Sequence, residues 1–205
     1  PMIISTGLGT PDEIREAVNT VLAVRPSAQT DGSLMLMHCV AAYPTPPGEA
    51  NLRNLGWLKK SFGLPIGYSD HTLGIKACEL AIAAGAIALE KHFTYRKEDQ
   101  AFHDHALSAD PRDLAELVKA VRTAETYLGS STRARGPSEE KLLQHMRRSL
   151  AAAVDIPAGV PVKPEWLTFL RPQWGLTPDR FETVVGRTLN RAVTAGDLIR
   201  QEDLR

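Results

Sequence analysis

Two histidines occupy matching places in this chain. His71 lies in "GYSDHT" (residues 67–72), directly after the apolar Leu64, Pro65 and Ile66, and His92 lies in "LEKHF" (residues 89–93), where a second apolar run ends. Side chains alternate along an extended strand, so Ser69 shares a face with His71, and Glu90 with His92. Two neutral imidazoles projected from neighbouring strand ends can chelate a divalent metal and leave positions for water and substrate. Two histidines alone are a weak signal, and the rival reading is a hydrogen-bonded, partly buried histidine beside each loop.

More polar groups gather where apolar runs end. Ser5, Thr6 and Gly7 combine hydroxyls with a glycine that permits close backbone approach, which suits a phosphate beside a helix start or simply a turn. His38 and Cys39, then Tyr43-Pro44-Thr45-Pro46, end another run, and the prolines either stiffen a binding loop or only shape it. The segment "FHDHALS" supplies His103, Asp104, His105 and Ser108, too polar to be buried without partners, and either functional or solvated.

These groups need elements to hold them. Apolar, β-rich runs at residues 2–4, 34–40, 64–68 and 86–89 are each followed by helical periodicity, an alternating βα pattern of the α/β class. The first helix is marked by Thr10 as N-cap, Pro11 at its first position and Glu13 completing a capping box, with Ile14, Val18, Val21 and Leu22 as its apolar stripe. The others are predicted over residues 50–62, ending at Gly63, over 73–84, ending at Gly85, and from Asp110-Pro111 to about residue 128. Four βα units make a parallel sheet covered by helices. The familiar closed barrel uses eight strands, so a barrel reading makes this chain half of one. An opening inside a strand-like run, Pro1-Met2-Ile3-Ile4, reads as part of a longer protein. From Gly129 the chain turns small and charged, as in a linker. A second, β-rich unit then follows, with runs at 149–154, 166–170 and Val184-Val185 separated by turns.

Lysine plus arginine equals aspartate plus glutamate, 24 each, so no net field draws the chain to nucleic acid or to an anionic membrane. Cys39 and Cys78 sit inside apolar segments, as reduced thiols do, which points to a cytoplasmic setting. No apolar run approaches the ~20 residues of a membrane span.

The motifs "IISTG", "HCVAAYPTP", "GYSDHTLGI", "ALEKHFT", "DHALS", "PSEEK", "RRSLAAA" and "RPQWGL", in this order and over essentially the whole chain, resemble the sialic acid synthase family. Those enzymes condense phosphoenolpyruvate with N-acetylmannosamine or a related sugar. The resemblance implies the C-terminal half of a TIM (β/α)8 barrel over residues 1–128, a linker over 129–147, and a small β-rich, antifreeze-like SAF domain of the β-clip type over 148–205. The first four strands, which in the family carry a catalytic glutamate and phosphate-binding lysines, are absent, so these residues alone are expected to be inactive. Position by position, His71 and His92 match the two protein ligands of a divalent metal, Mn2+ or Mg2+, and Glu90 lies beside it as a catalytic group. Ser5 and Ser69 match hydroxyls that bind the phosphate of phosphoenolpyruvate, and Tyr43 and Asp104 match positions that contact the amino sugar. Arg171 matches an arginine that in the family reaches the sugar's N-acetyl group across a domain-swapped homodimer. The implied chemistry is attack of C3 of phosphoenolpyruvate on the metal-polarised aldehyde. Water addition at C2 and loss of phosphate by carbon–oxygen cleavage then give a nine-carbon α-keto acid. Two departures touch the acceptor side: Val40-Ala41-Ala42 stands where many members have a serine or asparagine, and "FHDH" replaces "GPDH" at Phe102 and His103. They leave open another nonulosonic acid (legionaminic or pseudaminic) or a spore-coat sugar, with the reaction class intact; a chain that truly begins near Pro1 would instead be a truncated non-catalytic carbohydrate-binding protein.

Overall fold

Hydrophobic alternation on four strands decides which face of the sheet the helices cover. The computed structural model describes residues 1–98 and 104–205, which fall into two units, Pro1–Ser130 and Ser131–Arg205. His103 and Phe102 lie outside the described residues.

In the first unit, β1 (Met2–Ser5), β2 (Leu34–Cys39), β3 (Ile66–Asp70) and β4 (Leu89–Lys91) form one parallel sheet in that order, half of an eight-stranded barrel. The register places Ser5, Met37 and Gly67 in one row and Cys39, Ser69 and Glu90 in another. These residues therefore share a face. The opposite face carries Leu34, Leu36, Ile66 and Tyr68, packed beneath helices α1 (Pro11–Val24), α2 (Asn54–Phe62), α3 (Lys76–Ala83) and α5 (Pro111–Leu128) through Ile14, Val18, Leu55, Leu58, Cys78, Ala81 and Leu117. A short helix, α4 (Asp104–Leu107), precedes α5. Only glycine fits at position 67 on the inner face, because a Cβ there would collide with Met37 Sδ and stand 3.0 Å from the Ala88 carbonyl oxygen.

The boundaries follow local chemistry. The Thr10 box forms as predicted, Thr10 Oγ1 accepting from the Glu13 amide and Glu13 Oε2 from the Thr10 amide. Gly63, at φ 66°, ends α2 in the left-handed region. Two helices start later than their apolar patterns predict. Residues 47–49 form a 3-10 turn and Asn51 has φ 45°, delaying α2, and Gly74 at φ 74° delays α3. Strands β3 and β4 lie further along the chain than the apolar runs 64–68 and 86–89, extending through Asp70 and Lys91. These charged residues accept strand conformation because they neutralise one another, Lys91 Nζ standing 2.8 Å from Asp70 Oδ2 with side chains only 4% and 0% exposed.

In the second unit, residues read as linker hold a helix, α6 (Pro137–Met146), begun by Pro137 and by Glu139 accepting from the Gly136 amide. Strands β5 (Ser149–Ala152) and β6 (Leu167–Leu170) pair antiparallel. Isolated bridges such as Ile156 to Val193 and Leu189 to Leu204 close the remainder around Leu150, Ile156, Val162, Val184, Leu189 and Ile199. Val184-Val185 is a correction: Val184 ends a helical turn, α7 (Phe181–Val184), which continues a 3-10 turn begun at Pro178 and buries Val184 completely, and Val185 follows as its C-cap. No helix among the described residues is long and apolar enough to cross a membrane, and both cysteines are free.

Candidate functional site

The shift of β3 and β4 puts His71 and His92 each one residue beyond a strand end. The two rings meet edge to face, with centroids 5.1 Å apart. His71 is buried, and its Nδ1 lies 2.9 Å from the Val40 carbonyl oxygen, so Nδ1 carries the proton and the lone pair of Nε2 is left free. Its own carbonyl accepts from the Thr45 amide at 2.9 Å. His92 Nδ1 lies 3.5 Å from Asp104 Oδ2. One row back, Ser69 Oγ donates to Glu90 Oε1 at 2.6 Å.

The Tyr43 ring stands over the pair, 4.1 Å from the centroid of His71 and 5.8 Å from that of His92. Loss of water, then the charges of Cys39, Asp104 and Glu90, push its phenol above the ordinary value, so it stays protonated and able to donate. Tyr43, Ser69, His71, Glu90, His92 and Asp104 are thus brought together. Ser5 shares the face of Ser69, on β1, with β2 between them. Arg171 belongs to the second unit, where its Nε donates to the Met146 carbonyl oxygen at 2.7 Å.

The residues present fit a divalent cation. Each imidazole turns Nδ1 to an acceptor, the Val40 carbonyl or Asp104, which orients a ring for ligation through its other nitrogen. No group of three or more histidine, cysteine or acidic side chains that could hold a metal stands together among the described residues, so other coordination positions would fall to water and substrate. Three further polar residues are committed to structure. His38 Nε2 lies 2.8 Å from the Ala50 carbonyl oxygen, and burial, opposed in part by that bond, lowers its pKa. His105 Nδ1 lies 2.7 Å from Thr94 Oγ1, and Ser108 Oγ donates to the Asp104 carbonyl oxygen.

Sequence reasoning missed the back of the site. Behind the histidines, Asp70 accepts from Lys91 Nζ, from the Thr72 amide, from the Tyr68 hydroxyl and from the Cys78 thiol. Burial pushes its carboxyl up, but the Lys91 bond and charge, with the Thr72 and Cys78 bonds, outweigh that and hold it below the ordinary carboxylate value. Burial first, then the charge of Asp70, raises both the Tyr68 phenol and the Cys78 thiol, keeping them protonated as donors. The available signal was the repeated pattern of a charged residue directly before each histidine.

Residues 1–133 match the NeuB family and residues 147–205 the SAF domain. The N,N'-diacetyllegionaminic acid synthase of Legionella pneumophila is 37% identical over 204 residues, 100% of this chain and 57% of that protein. A crystal structure of N-acetylneuraminic acid (sialic acid) synthetase from Leptospira borgpetersenii superposes with a TM-score of 0.61 at 36% identity, covering 68% of this chain and 46% of that one. A crystal structure from Chromobacterium violaceum, of a protein provisionally assigned as spore coat polysaccharide biosynthesis protein E, gives a TM-score of 0.75 at 27% identity over 100% of this chain and 60% of that one. The chain spans less than three fifths of the length of the curated relatives it matches.

Proposed function

The chain belongs to the NeuB family and carries a SAF domain, and from that premise we propose that it supplies the cation-binding half of an active site condensing phosphoenolpyruvate with an acylated amino sugar. The acceptor is N-acetylmannosamine or a related hexosamine-derived sugar. C3 of phosphoenolpyruvate bonds to the aldehyde carbon, water adds at C2, and carbon–oxygen cleavage releases inorganic phosphate from a nine-carbon α-keto acid. The observation that carries this reading is the pair of imidazoles on adjacent strand ends, each with Nδ1 occupied by an acceptor.

His71 and His92 would hold a divalent cation, Mn2+ or Mg2+, through their Nε2 atoms. Bound there, it would supply a Lewis acid for the aldehyde oxygen. Ser5 and Ser69 offer hydroxyls to the phosphate. Glu90 accepts the Ser69 proton at rest and is placed to take a proton from water as it adds at C2. Tyr43, protonated, donates to the acceptor, and Asp104 both steadies His92 and accepts from a sugar hydroxyl. Arg171 would meet the N-acetyl group from the SAF domain of a partner subunit. Holding both reactants in one geometry is the protein's main contribution, since the enol phosphate itself supplies the driving force.

One observation favours a diacetylated acceptor: the chain is 37% identical to a diacetyllegionaminic acid synthase. Phosphate release from phosphoenolpyruvate, assayed in the protein carrying the complete barrel against mono- and diacetylated sugars, tests both readings. The expected result is sugar-dependent release that EDTA abolishes and that His71→Ala or His92→Ala lowers by more than about 100-fold. Release that ignores the sugar or survives EDTA would remove the reading, and no release with any sugar would favour a carbohydrate-binding protein instead.

A further inference from the structure

The Asp70–Lys91 ion pair lies on the face of the sheet opposite the histidines, and none of the groups proposed to touch substrate includes it. Each partner is the residue immediately before one of the two histidines. We propose that Asp70 and Lys91 are positioning residues: their pairing fixes the separation and orientation of His71 and His92 and thereby sets the affinity for the divalent cation. This rests on the two-histidine reading given above.

The geometry is directional. Lys91 Nζ donates both to Asp70 Oδ2 and to the Thr72 carbonyl oxygen, each at 2.8 Å, so one ammonium grips the residues on either side of His71. Asp70 Oδ1 in turn accepts from the Thr72 amide at 2.8 Å and from the Tyr68 hydroxyl at 3.1 Å. The backbone of residues 70–72 is therefore folded around a carboxylate that is tied to β4, the strand that delivers His92. From the front, His71 is held by its Nδ1 bond to the Val40 carbonyl oxygen, by the Cys39 sulfur 3.9 Å from the same nitrogen, and by the Thr45 amide.

Stability alone does not account for such a pair. Removing two charges from water costs about as much as their attraction returns, and well-packed apolar residues of the same volume would join β3 to β4 as firmly. An apolar contact, however, lacks the fixed bond directions that determine where the backbone at position 71 points. The Cys78 thiol and Tyr68 hydroxyl complete the carboxylate's partners, so the device is self-contained within the helix-covered face.

The test compares Asp70→Asn/Lys91→Met, which removes both charges, with Lys91→Arg, which keeps the charge. Mn2+ binding by the full chain is followed through the electron paramagnetic resonance signal of the free ion, beside urea unfolding. The double variant is expected to unfold near the wild-type midpoint yet bind Mn2+ about 10-fold more weakly, the low end of the effect of groups that orient metal ligands, while Lys91→Arg binds close to wild type. Equal affinity in the double variant, or a loss that merely follows the urea midpoint and is shared by Lys91→Arg, overturns the positioning role and leaves the histidines their cation. Wild-type protein binding Mn2+ no better than His71→Ala overturns both. Where the double variant does not fold, Lys91→Gln is read by the same outcomes.

Discussion

Ser69 has one hydroxyl proton, and it is given to Glu90 Oε1 at 2.6 Å. Binding a phosphate would require that proton to turn, exchanging a bond to a carboxylate for a bond to a phosphate oxygen, so the gain is smaller than for a free hydroxyl. Charge-assisted bonds contribute about 1.5–3 kcal/mol, and about 1.4 kcal/mol is tenfold in affinity. Ser69→Ala is therefore expected to raise the Michaelis constant for phosphoenolpyruvate about 10-fold, the low end of that range, with the sugar's constant little changed. Steady-state kinetics in both substrates check this, and an effect confined to the sugar would move Ser69 to the acceptor side. That Ser69 shares a face with His71, and Glu90 with His92, was legible in the sequence because strand alternation alone assigns residues to faces, whereas the bond from Ser69 to Glu90 depends on the register between β3 and β4. The Asp70–Lys91 pair was not, although the two stand 21 residues apart at equivalent places. The charged residue before each histidine is a local trace of it, but that pattern does not say that two charged residues facing a hydrophobic layer will find each other there.

Helix starts were read correctly where a side chain caps them and missed where none does. Helices α1 and α5 begin where Thr10 and Asp110 predict, each with a proline at the first position and a reciprocal bond three residues on. Helices α2 and α3 begin at Asn54 and Lys76, after Arg53 and Ile75, which provide no side-chain cap, and backbone conformations at Asn51 and Gly74, invisible in an apolar pattern, set their starts. Strand ends were displaced for a related reason: polarity was read as the end of a strand, whereas ionic pairing carries β3 and β4 two residues further. Asp110 is the clearest place to test the role of caps. Its Oδ1 accepts from the amides of Arg112 and Asp113 at 2.9 and 2.8 Å. Asp110→Ala is expected to lower stability by about 1 kcal/mol, seen as a lower urea midpoint at unchanged slope. An unchanged midpoint would mean that α5 is held by the packing of Leu117 and Val121 rather than by its cap.

Each of the two units closes its own core, one around Leu36 and Tyr68 and the other around Leu150 and Ile199. The composition changes at Gly129, and the first unit runs to Ser130, but α6 was not legible, because "PSEEKLLQHM" is as charged as a linker and shows its helical nature only in Pro137 and the Glu139 cap. The core of the second unit is built from apolar side chains, so a role of the SAF domain in chemistry would fall to a polar group outside that core. Arg171 meets that condition: it is exposed, and its Nε donates to the Met146 carbonyl oxygen, so the two terminal nitrogens of its guanidinium are available as donors. If it serves the acceptor, Arg171→Ala forfeits a charge-assisted bond of about 1.5–3 kcal/mol. The Michaelis constant for the sugar should then rise at least about 10-fold, with that for phosphoenolpyruvate unaffected and the unfolding midpoint of the second unit close to wild type. A sugar constant that stays put while the midpoint falls would confine Arg171 to anchoring the end of α6, and the SAF domain would then act through some other residue or not at all.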